Sequence, residues 1–214
     1  MTEPLREPWP NLVLYHLFKW SVVSPLLHGA FRGRIYGAER VPTTGPLVVV
    51  SNHASDFDPP IVSNCVGRPV AFMAKEELFR VPVLREAIRL YGAYPVKRGA
   101  SDRAALKASL AVLAQGWACG VFLDGTRSPD GRVVAPKLGA ALIAAKARAP
   151  LLPVCLWGTH AILPKGASWP RWFSPVTVRI GEVLPPPAST DRPELEAVSQ
   201  RCAAILNEMH ALGR

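Results

Sequence analysis

Short apolar runs alternate with longer segments of helical hydrophobic spacing over most of the chain beyond residue 40. Runs such as PLVVVS at 46–51 and LLPVCLW at 151–157 are apolar nearly throughout, which is typical of strands covered on both faces. Such alternation predicts an α/β fold with a central mixed, largely parallel β-sheet flanked by helices. The predicted strands are 46–51, 70–74, 93–97, 120–124, 151–157 and 176–182.

Three segments carry apolar residues at the spacing of an amphipathic helix. The first begins at Ser101, a good N-cap residue, and the second begins at Pro136. The third begins at Asp191, with Glu194 three residues later in a capping-box arrangement, and ends at Gly213. Because there is no internal repeat and no linker, we predict one α/β domain over residues 35–214.

Residues 9–34 form an aromatic, apolar segment that polar residues and Pro25 interrupt. Lys19, near its middle, would cost roughly 2.5 to 3.5 kcal/mol on insertion scales, so the segment is a poor spanning helix. Its aromatic rings suit the headgroup level of a membrane, and Arg32 and Arg34 follow at its far end. We predict that residues 1–34 form a membrane-associating helical segment. The alternative is a helix packed on the domain's own core.

The chain is basic, with 25 Lys and Arg against 16 Asp and Glu and a formal charge of +9. This charge favours partners that carry phosphate, either nucleic acid or an anionic membrane surface. The basic residues are spread along the chain without a nucleic-acid recognition motif, so we expect no nucleic-acid partner. An acidic, proline-rich N-terminus argues against a secretory signal. The cysteines have no paired spacing, which favours reduced thiols at Cys65, Cys119, Cys155 and Cys202.

The stretch NHASDFD, residues 52–58, places His53 just beyond a predicted strand. Open α/β sheets bind ligands outside the carboxyl ends of their strands. Asp58 follows five residues later, within reach across a loop that turns into a helix. A carboxylate that accepts from one imidazole nitrogen fixes the tautomer, so the other nitrogen can take a proton from a hydroxyl. The pair is a candidate general base; alternatively, Asp58 only caps the helix that DPPIV begins.

A second loop, FLDGTRSPDGR at 122–132, also follows a predicted strand. Its glycine turn, the Thr126 hydroxyl and the Arg127 guanidinium could hold a phosphate, because Arg donates bidentate pairs and the turn amides add donors. The SPDG portion is also an ordinary type I turn, which would explain residues 128–131 without any ligand.

Both loops resemble motifs of one family. NHASDFD resembles the NHxxxxD signature, and FLDGTRS at 122–128 resembles the FPEGTRS signature, of the glycerolipid acyltransferases, which include 1-acyl-glycerol-3-phosphate acyltransferase. YGAYPVKRG at 91–99 is similar to the family's second block, and APLLPVCLWG at 149–158 is similar to its fourth. The order and separation of the blocks also agree, and together they cover roughly residues 45–160.

The resemblance implies transfer of a fatty acyl group from a thioester donor, acyl-CoA or acyl carrier protein, to the free hydroxyl of 1-acyl-glycerol 3-phosphate (lysophosphatidic acid). The product would be phosphatidic acid, in phospholipid biosynthesis, and no cofactor or metal is expected. His53 would deprotonate the hydroxyl, Asp58 would orient His53, and backbone amides beside the base are candidate oxyanion donors. The residues implied to bind substrate are Arg98, Asp124, Gly125, Thr126, Arg127, Ser128 and Pro153.

A bilayer acceptor and a cytosolic donor would meet at the membrane surface. We therefore expect the protein at the cell membrane, peripheral or monotopic on the cytoplasmic face.

One block departs from the family's pattern, because Asp124 stands where the family has Glu and Leu123 stands where it has Pro. If the acid contacts the acceptor, the shorter side chain would alter acceptor choice. If it only braces the loop, a small backbone shift would absorb the change. Glycerol 3-phosphate or another lysolipid therefore stays open as the acceptor.

The sequence also raises two other classes of protein, a phosphatase and a lipid-binding protein without catalysis. VFLDGTRSPDG also resembles the DxDGT nucleophile loop of haloacid-dehalogenase-type phosphatases, but Phe122 occupies the nucleophile's place, so no aspartyl-phosphate can form. A membrane lipid-binding protein that keeps the fold without catalysis is the other alternative.

Overall fold

The structure, a computed structural model, describes residues 9–80, 82–90, 93–96, 102–163 and 169–214. Its strands are β1 Arg34–Tyr36, β2 Leu47–Ser51, β3 Val70–Lys75, β4 Tyr94–Val96, β5 Ala118–Phe122, β6 Leu151–Trp157 and β7 Thr177–Ile180. They form one sheet in the order β1-β7-β6-β2-β5-β3-β4. Every described neighbouring pair is parallel except β6 and β7, which confirms the predicted mixed, largely parallel sheet.

Helices cover both faces of this sheet. The α-helices are α1 Trp9–Phe18, α2 Asp58–Val66, α3 Pro82–Leu90, α4 Asp102–Ala114, α5 Gly139–Ala147 and α6 Arg192–Ala211. One buried cluster joins α2 and the N-terminal segment to side chains such as Val49. The opposite cluster joins α4, α5 and α6 to Val48 and Val50. Successive residues of β2 thus point to opposite apolar layers, which explains its continuous hydrophobic run.

Two strands differ most from the sequence prediction, and β7 also ends two residues earlier than predicted, at Ile180. Strand β1 was not predicted, because RIY is only three residues long and is half-exposed to exposed. Strand β5 begins and ends two residues earlier than predicted, because Ala118 pairs with Leu47 while Leu123 is buried beyond the strand's end. The apolar run extends to Leu123, one residue beyond the last paired residue of β5, Phe122. The hydrophobic pattern alone therefore placed the end of the strand too late.

The predicted capping box of α6 is not formed. The Glu194 carboxylate accepts from the Ala188 amide, and the Asp191 amide donates to the Ser189 hydroxyl. Residues of the turn before the helix therefore take up the hydrogen bonds that a capping box would use. The reciprocal bonds between Asp191 and Glu194 are absent.

The N-terminal segment packs one of its sides on the domain. The Tyr15 hydroxyl donates to the Ser63 carbonyl of α2 at 2.6 Å, and the Ser24 hydroxyl donates to Asn64 Oδ1 at 3.1 Å. Farther along, Phe31 enters the core. Tyr15, Ser24 and Phe31 are all buried, so this side of the segment is part of the domain's interior.

The other side of this segment carries exposed apolar side chains. Trp9, Leu17 and Trp20 are 75%, 66% and 66% exposed. The segment therefore contributes to the core, as the second alternative held, and also presents an apolar surface. Its association with a membrane stays a prediction. None of the described helices is long and apolar enough to cross a membrane.

All four cysteines are buried and free. Burial raises the pKa of the Cys65 and Cys155 thiols to about 12, and that of Cys119 and Cys202 to about 11. The thiols therefore stay protonated near neutral pH and act as small apolar side chains.

Substitution of Gly120 tests the packing of β5 on β3. A Cβ at this position would overlap the Phe72 ring, which lies directly opposite on β3. We expect Gly120→Ala to lower the free energy of unfolding by about 1–3 kcal/mol through overpacking, as measured by chemical denaturation. Gly139→Ala is the matched control, because open space surrounds that position. Equal stabilities for the two variants would contradict the tight contact.

Candidate active site

The carboxyl ends of β2 and β5 lie side by side, with Ser51 opposite Phe122. The Leu123 amide donates to the Ser51 carbonyl at 2.9 Å and extends this pairing beyond the strands. His53 and the 124–132 loop therefore leave the sheet at the same edge. This is the edge at which open α/β sheets bind ligands.

His53 and Asp58 form a hydrogen-bonded pair at this edge. His53 Nδ1 lies 2.8 Å from Asp58 Oδ2; the Asp58 side chain is fully buried and the His53 side chain is 17% exposed. The same Oδ2 atom accepts the Ala54 and Ser55 amides, each at 2.7 Å. Asp58 is the first residue of α2, and among the described residues its side chain forms no hydrogen bond with that helix. Its carboxylate instead closes the loop that carries His53.

This arrangement sets the chemistry of the imidazole. The Asp58 carboxylate accepts the Nδ1 proton, so the Nε2 atom carries the lone pair. Among the described residues, none forms a hydrogen bond with Nε2. The ring can therefore take a proton from a hydroxyl at Nε2. The Ala54 and Ser55 amides are already bonded to Asp58, so these two neighbours of the base are not free oxyanion donors.

An aromatic stack fixes the plane of the imidazole. The His53 ring stacks on Phe122 with centroids 3.9 Å apart and an interplanar angle of 11°. Phe122 stacks in turn on Phe72 at 5.0 Å. Sequence reasoning used Phe122 only to exclude a phosphatase. Phe122 lies opposite Ser51, at the end of the strand that precedes His53. This placement can be recognised only once the register of the two strands is known.

The two motif loops are joined directly through Ser128. Its amide donates to the His53 carbonyl at 2.8 Å, and its hydroxyl donates weakly to the same oxygen at 3.3 Å. The hydroxyl also accepts the Gly131 amide at 3.0 Å. Ser128 therefore braces the two loops against each other, with both of its polar groups engaged inside the protein.

Arg127 forms the second link between these loops. Its Nη1 atom donates to Asp56 Oδ2 at 2.7 Å, and the two side chains are 27% and 65% exposed. Asp56 lies between His53 and Asp58 in the sequence, but sequence reasoning assigned it no role. The ion pair holds the guanidinium beside the histidine loop.

The tip of the second loop is open to solvent. Gly125 and Thr126 are exposed, and Gly125 has a φ of +69°, which suits glycine. Among the described residues, none accepts a hydrogen bond from the amides of Thr126 and Arg127. The tip thus offers two backbone donors beside a guanidinium, which is the donor set that phosphate groups prefer.

Asp124 braces the return of this loop. Its Oδ1 atom accepts the Ala135 amide at 3.0 Å, and the Lys137 amide donates to the Leu123 carbonyl at 2.8 Å nearby. The carboxylate that replaces the family's glutamate is therefore engaged with the protein's own backbone. Of the two roles considered for this acid, these contacts favour bracing.

The remaining predicted site residues lie elsewhere. Pro153 is buried within β6, opposite Val50, and its carbonyl accepts the Gly181 amide. Ser51, the last residue of β2, pairs with Val154, so Pro153 lies one residue pair farther from the active-site edge of the sheet. Arg98 lies outside the described residues. In the described part of the chain, no group of three His, Cys, Asp or Glu side chains is placed to hold a metal ion.

Asn52 is a site residue that sequence reasoning missed. Its Nδ2 atom donates to the Gly131 and Leu156 carbonyls at 2.6 and 2.8 Å, and its Oδ1 atom accepts the Leu156 amide at 2.8 Å. The side chain is buried and fully hydrogen-bonded. It ties the end of β2 to β6 and to the second loop. The available signal was a carboxamide at the end of an apolar strand, directly before the histidine.

Comparison with known proteins identifies the family to which this chain belongs. The sequence pattern of the family described as Acyltransferase matches residues 32–157, which is more than half of the chain. The chain belongs to the Acyltransferase family. The match includes both motif loops and strands β1 to β6, so it covers the whole edge described above.

Individual relatives support this membership. The chain is 34% identical over 151 residues to 1-acyl-sn-glycerol-3-phosphate acyltransferase BAT2, chloroplastic, of Brassica napus, a match that covers 69% of this chain and 43% of the relative. It is 33% identical over 167 residues to the LPAT1 enzyme of Arabidopsis thaliana, covering 76% and 46%. The chain thus spans about half the length of these curated relatives.

A solved structure shares the fold. The crystal structure of the 1-acyl-sn-glycerophosphate acyltransferase PlsC from Thermotoga maritima superposes with a TM-score of 0.73 and 31% sequence identity. The superposition covers 92% of this chain and 79% of that one. The acyltransferase fold therefore includes regions on both sides of the family match.

Substitution of Asn52 tests the link between the loops. Asn52→Ala would leave the Leu156 amide and two buried carbonyls without partners, so we expect a loss of about 2–4 kcal/mol in the free energy of unfolding. Asn52→Asp keeps the acceptor for Leu156 but sets a carboxylate oxygen against two carbonyls, and we expect a loss at least as large. Denaturant titration measures both variants. A wild-type unfolding midpoint for either would contradict the buried network.

Proposed function

We propose that this acyltransferase moves a fatty acyl group from a thioester donor to the free hydroxyl of 1-acyl-glycerol 3-phosphate, giving phosphatidic acid. The observation that carries the proposal is the 2.8 Å bond from His53 Nδ1 to the buried Asp58 carboxylate, with no hydrogen bond to Nε2 from any residue that the structure describes. Relatives named as 1-acyl-sn-glycerol-3-phosphate acyltransferases support the choice of acceptor.

In the proposed reaction, His53 Nε2 takes the proton of the acceptor hydroxyl as its oxygen attacks the thioester carbonyl. A C–O bond forms and a tetrahedral oxyanion results. The intermediate collapses with cleavage of the C–S bond, and the imidazolium returns its proton to the leaving thiolate. Asp58 is placed to stabilise the imidazolium and to hold the ring in register. No covalent enzyme intermediate is required.

The acceptor's phosphate is assigned to the exposed tip of the second loop. Arg127 uses one nitrogen for Asp56, which leaves further donors of its planar guanidinium for phosphate oxygens. The amides of Thr126 and Arg127, which follow the turn at Gly125, add to this site. Because Ser128 joins the loop to the His53 carbonyl, a phosphate bound here would lie near the base. Arg98 and the family's fourth block at Pro153 stay additional candidates for substrate binding.

The proposed site of action is the cytoplasmic face of the cell membrane, where the protein would be peripheral or monotopic. A lipid acceptor lies in the bilayer, and the donor, acyl-CoA or acyl carrier protein, comes from the aqueous side. The N-terminal segment carries exposed Trp9, Leu17 and Trp20, which suit a membrane surface. Its last residues lead into β1, which begins at the edge of the sheet that holds His53.

Removal of the base separates an enzyme from a lipid-binding protein without catalysis. We expect His53→Ala to lower acyl transfer by about 10²- to 10⁴-fold, the usual contribution of a general base, while vesicle association stays unchanged. The assay follows a labelled acyl donor offered lysophosphatidate, glycerol 3-phosphate and monoacylglycerol as acceptors. Unimpaired turnover by His53→Ala would remove the base from the mechanism, and no transfer to any acceptor by the wild type would favour the lipid-binding alternative.

A pair of arginine substitutions tests the phosphate site. We expect Arg127→Gln to lower kcat/KM for lysophosphatidate by about 10- to 100-fold, because a charge-assisted hydrogen bond to phosphate is lost. Activity on monoacylglycerol, which lacks the phosphate, should change little. Arg132→Gln is the matched control, since this arginine lies in the same loop, is 63% exposed and faces Asp130. Equal effects of the two substitutions, or exclusive use of a phosphate-free acceptor, would overturn the role given to Arg127.

A further inference from the structure

An exposed aromatic loop, residues 169–175, lies shortly before β7 and has no part in the chemistry described above. Trp169, Trp172 and Phe173 are 83%, 53% and 65% exposed. Three large rings within five residues form an apolar patch of a kind that soluble surfaces rarely carry without a partner. Tryptophan in particular is suited to the boundary between apolar and aqueous phases.

The aromatic loop is held in place by the rest of the domain. The Arg171 amide donates to the Ile162 carbonyl at 2.7 Å, and the Ser174 hydroxyl donates to the Arg171 carbonyl at 2.9 Å. Trp172 stacks on buried Phe31 with ring centroids 6.0 Å apart and an interplanar angle of 6°. The backbone thus has several fixed contacts, although the rings of Trp169 and Phe173 remain in solvent.

Phe173 adopts a backbone conformation that is costly for a bulky side chain. Its φ is +67°, in the left-handed region that glycine and asparagine favour. The chain therefore accepts local strain and an exposed ring at the same residue. Strain of this kind concentrates at sites of binding.

The aromatic loop lies at the edge of the sheet that holds the active site. Strands β6 and β7 are antiparallel, with Trp157 opposite Thr177, so the residues directly before β7 lie at the carboxyl end of β6. Ring contacts continue inward from the loop: Phe31, which stacks on Trp172, also packs edge-to-face on Phe57 at 5.9 Å. Phe57 directly precedes Asp58. Only two ring contacts thus separate the loop from the residues of the base.

The same contacts make the aromatic loop continuous with the N-terminal segment. The Val176 amide donates to the Phe31 carbonyl at 3.0 Å, and the Arg34 amide donates to the Val176 carbonyl at 3.1 Å. Arg32, Arg34 and Arg171 are exposed, and in the sequence Arg32 directly follows Phe31 and Arg171 directly precedes Trp172. Aromatic side chains flanked by arginines match the apolar and anionic layers of a phospholipid surface.

We propose that the aromatic loop is a second membrane-contact element, which inserts Trp169, Trp172 and Phe173 into the headgroup layer of an anionic bilayer beside the active site. This inference rests on the proposed function for its choice of a lipid surface. Two separate contacts, the N-terminal segment and the loop, would fix the orientation of the sheet edge as well as its distance from the bilayer. The base would then face the layer in which a lipid acceptor lies.

The first test removes the rings that have no role in the core. Trp169→Ser combined with Phe173→Gly leaves the Trp172–Phe31 stack intact and relieves the strained φ. We expect affinity for phosphatidylcholine vesicles containing phosphatidylglycerol to fall by at least about tenfold, because two large apolar groups no longer leave water. Val183→Ser is the control, since Val183 is 37% exposed and precedes Leu184, which pairs with the amino end of β6. Its vesicle affinity should equal that of the wild type.

The second test measures insertion directly and uses the burial of the native cysteines. Their protonated, buried thiols leave an introduced cysteine as the reactive one under native conditions. A polarity-sensitive fluorophore attached to Trp169→Cys should shift to shorter wavelength when vesicles are added, and the same fluorophore on Val183→Cys should not. Both proteins can carry His53→Ala, so the measurement is independent of catalysis.

The outcomes separate this inference from the proposed function. Loss of vesicle affinity together with a wavelength shift at position 169 supports membrane contact, even if no acyl transfer is found with any acceptor. Wild-type vesicle affinity of the double variant, or a fluorophore at position 169 that does not respond to vesicles, would overturn the inference. In that case the patch would be a docking surface for another protein. Activity of the double variant on detergent-dispersed acceptor should stay near the wild-type value, because the base is untouched.

Discussion

The buried Asp58 carboxylate is the constraint on which the candidate active site depends. One oxygen accepts three hydrogen bonds, from His53 Nδ1 and from the Ala54 and Ser55 amides, in a place that solvent does not reach. A buried carboxylate needs such donors to offset its lost hydration, so the loop must close around it. The closed loop orients the imidazole and directs its other nitrogen outward. The orientation of the base and the shape of the loop are thus two results of one solvation requirement.

Around this pair, the site is assembled from segments far apart in sequence. Asn52 and Ser128 bind the second loop to the histidine loop, and Arg127 reaches Asp56. Most of these bonds involve backbone groups that would otherwise be buried without partners, so the network also stabilises the strand ends that it joins. Asp124 is engaged in the same way with the Ala135 amide. A shorter acid at this position is compatible with a loop whose shape is set by many other bonds.

All of these bonds lie at one edge of the sheet, where the central strands end. The N-terminal segment, the aromatic loop and the two motif loops all reach the carboxyl ends of the central strands. Rings from Trp172 through Phe31 to Phe57 connect the aromatic loop, the N-terminal segment and the histidine loop. Apolar and cationic groups lie outside, and the polar pair lies inside. The proposed reaction between a lipid and a water-borne donor at an interface would need such an order.

The sequence by itself determined the α/β class, six of the seven strands and the pairing of His53 with Asp58, because hydrophobic periodicity and short motifs are local properties. The exact end of β5, the short β1 and the missing capping box depended on which backbone groups found partners in space. The roles of Asn52, Asp56 and Phe122, and the continuity of the aromatic loop with the N-terminal segment, were decided only by the tertiary structure. Each involves residues brought together by strand register, and no pattern along one chain segment encodes a neighbour that lies 69 or more positions away.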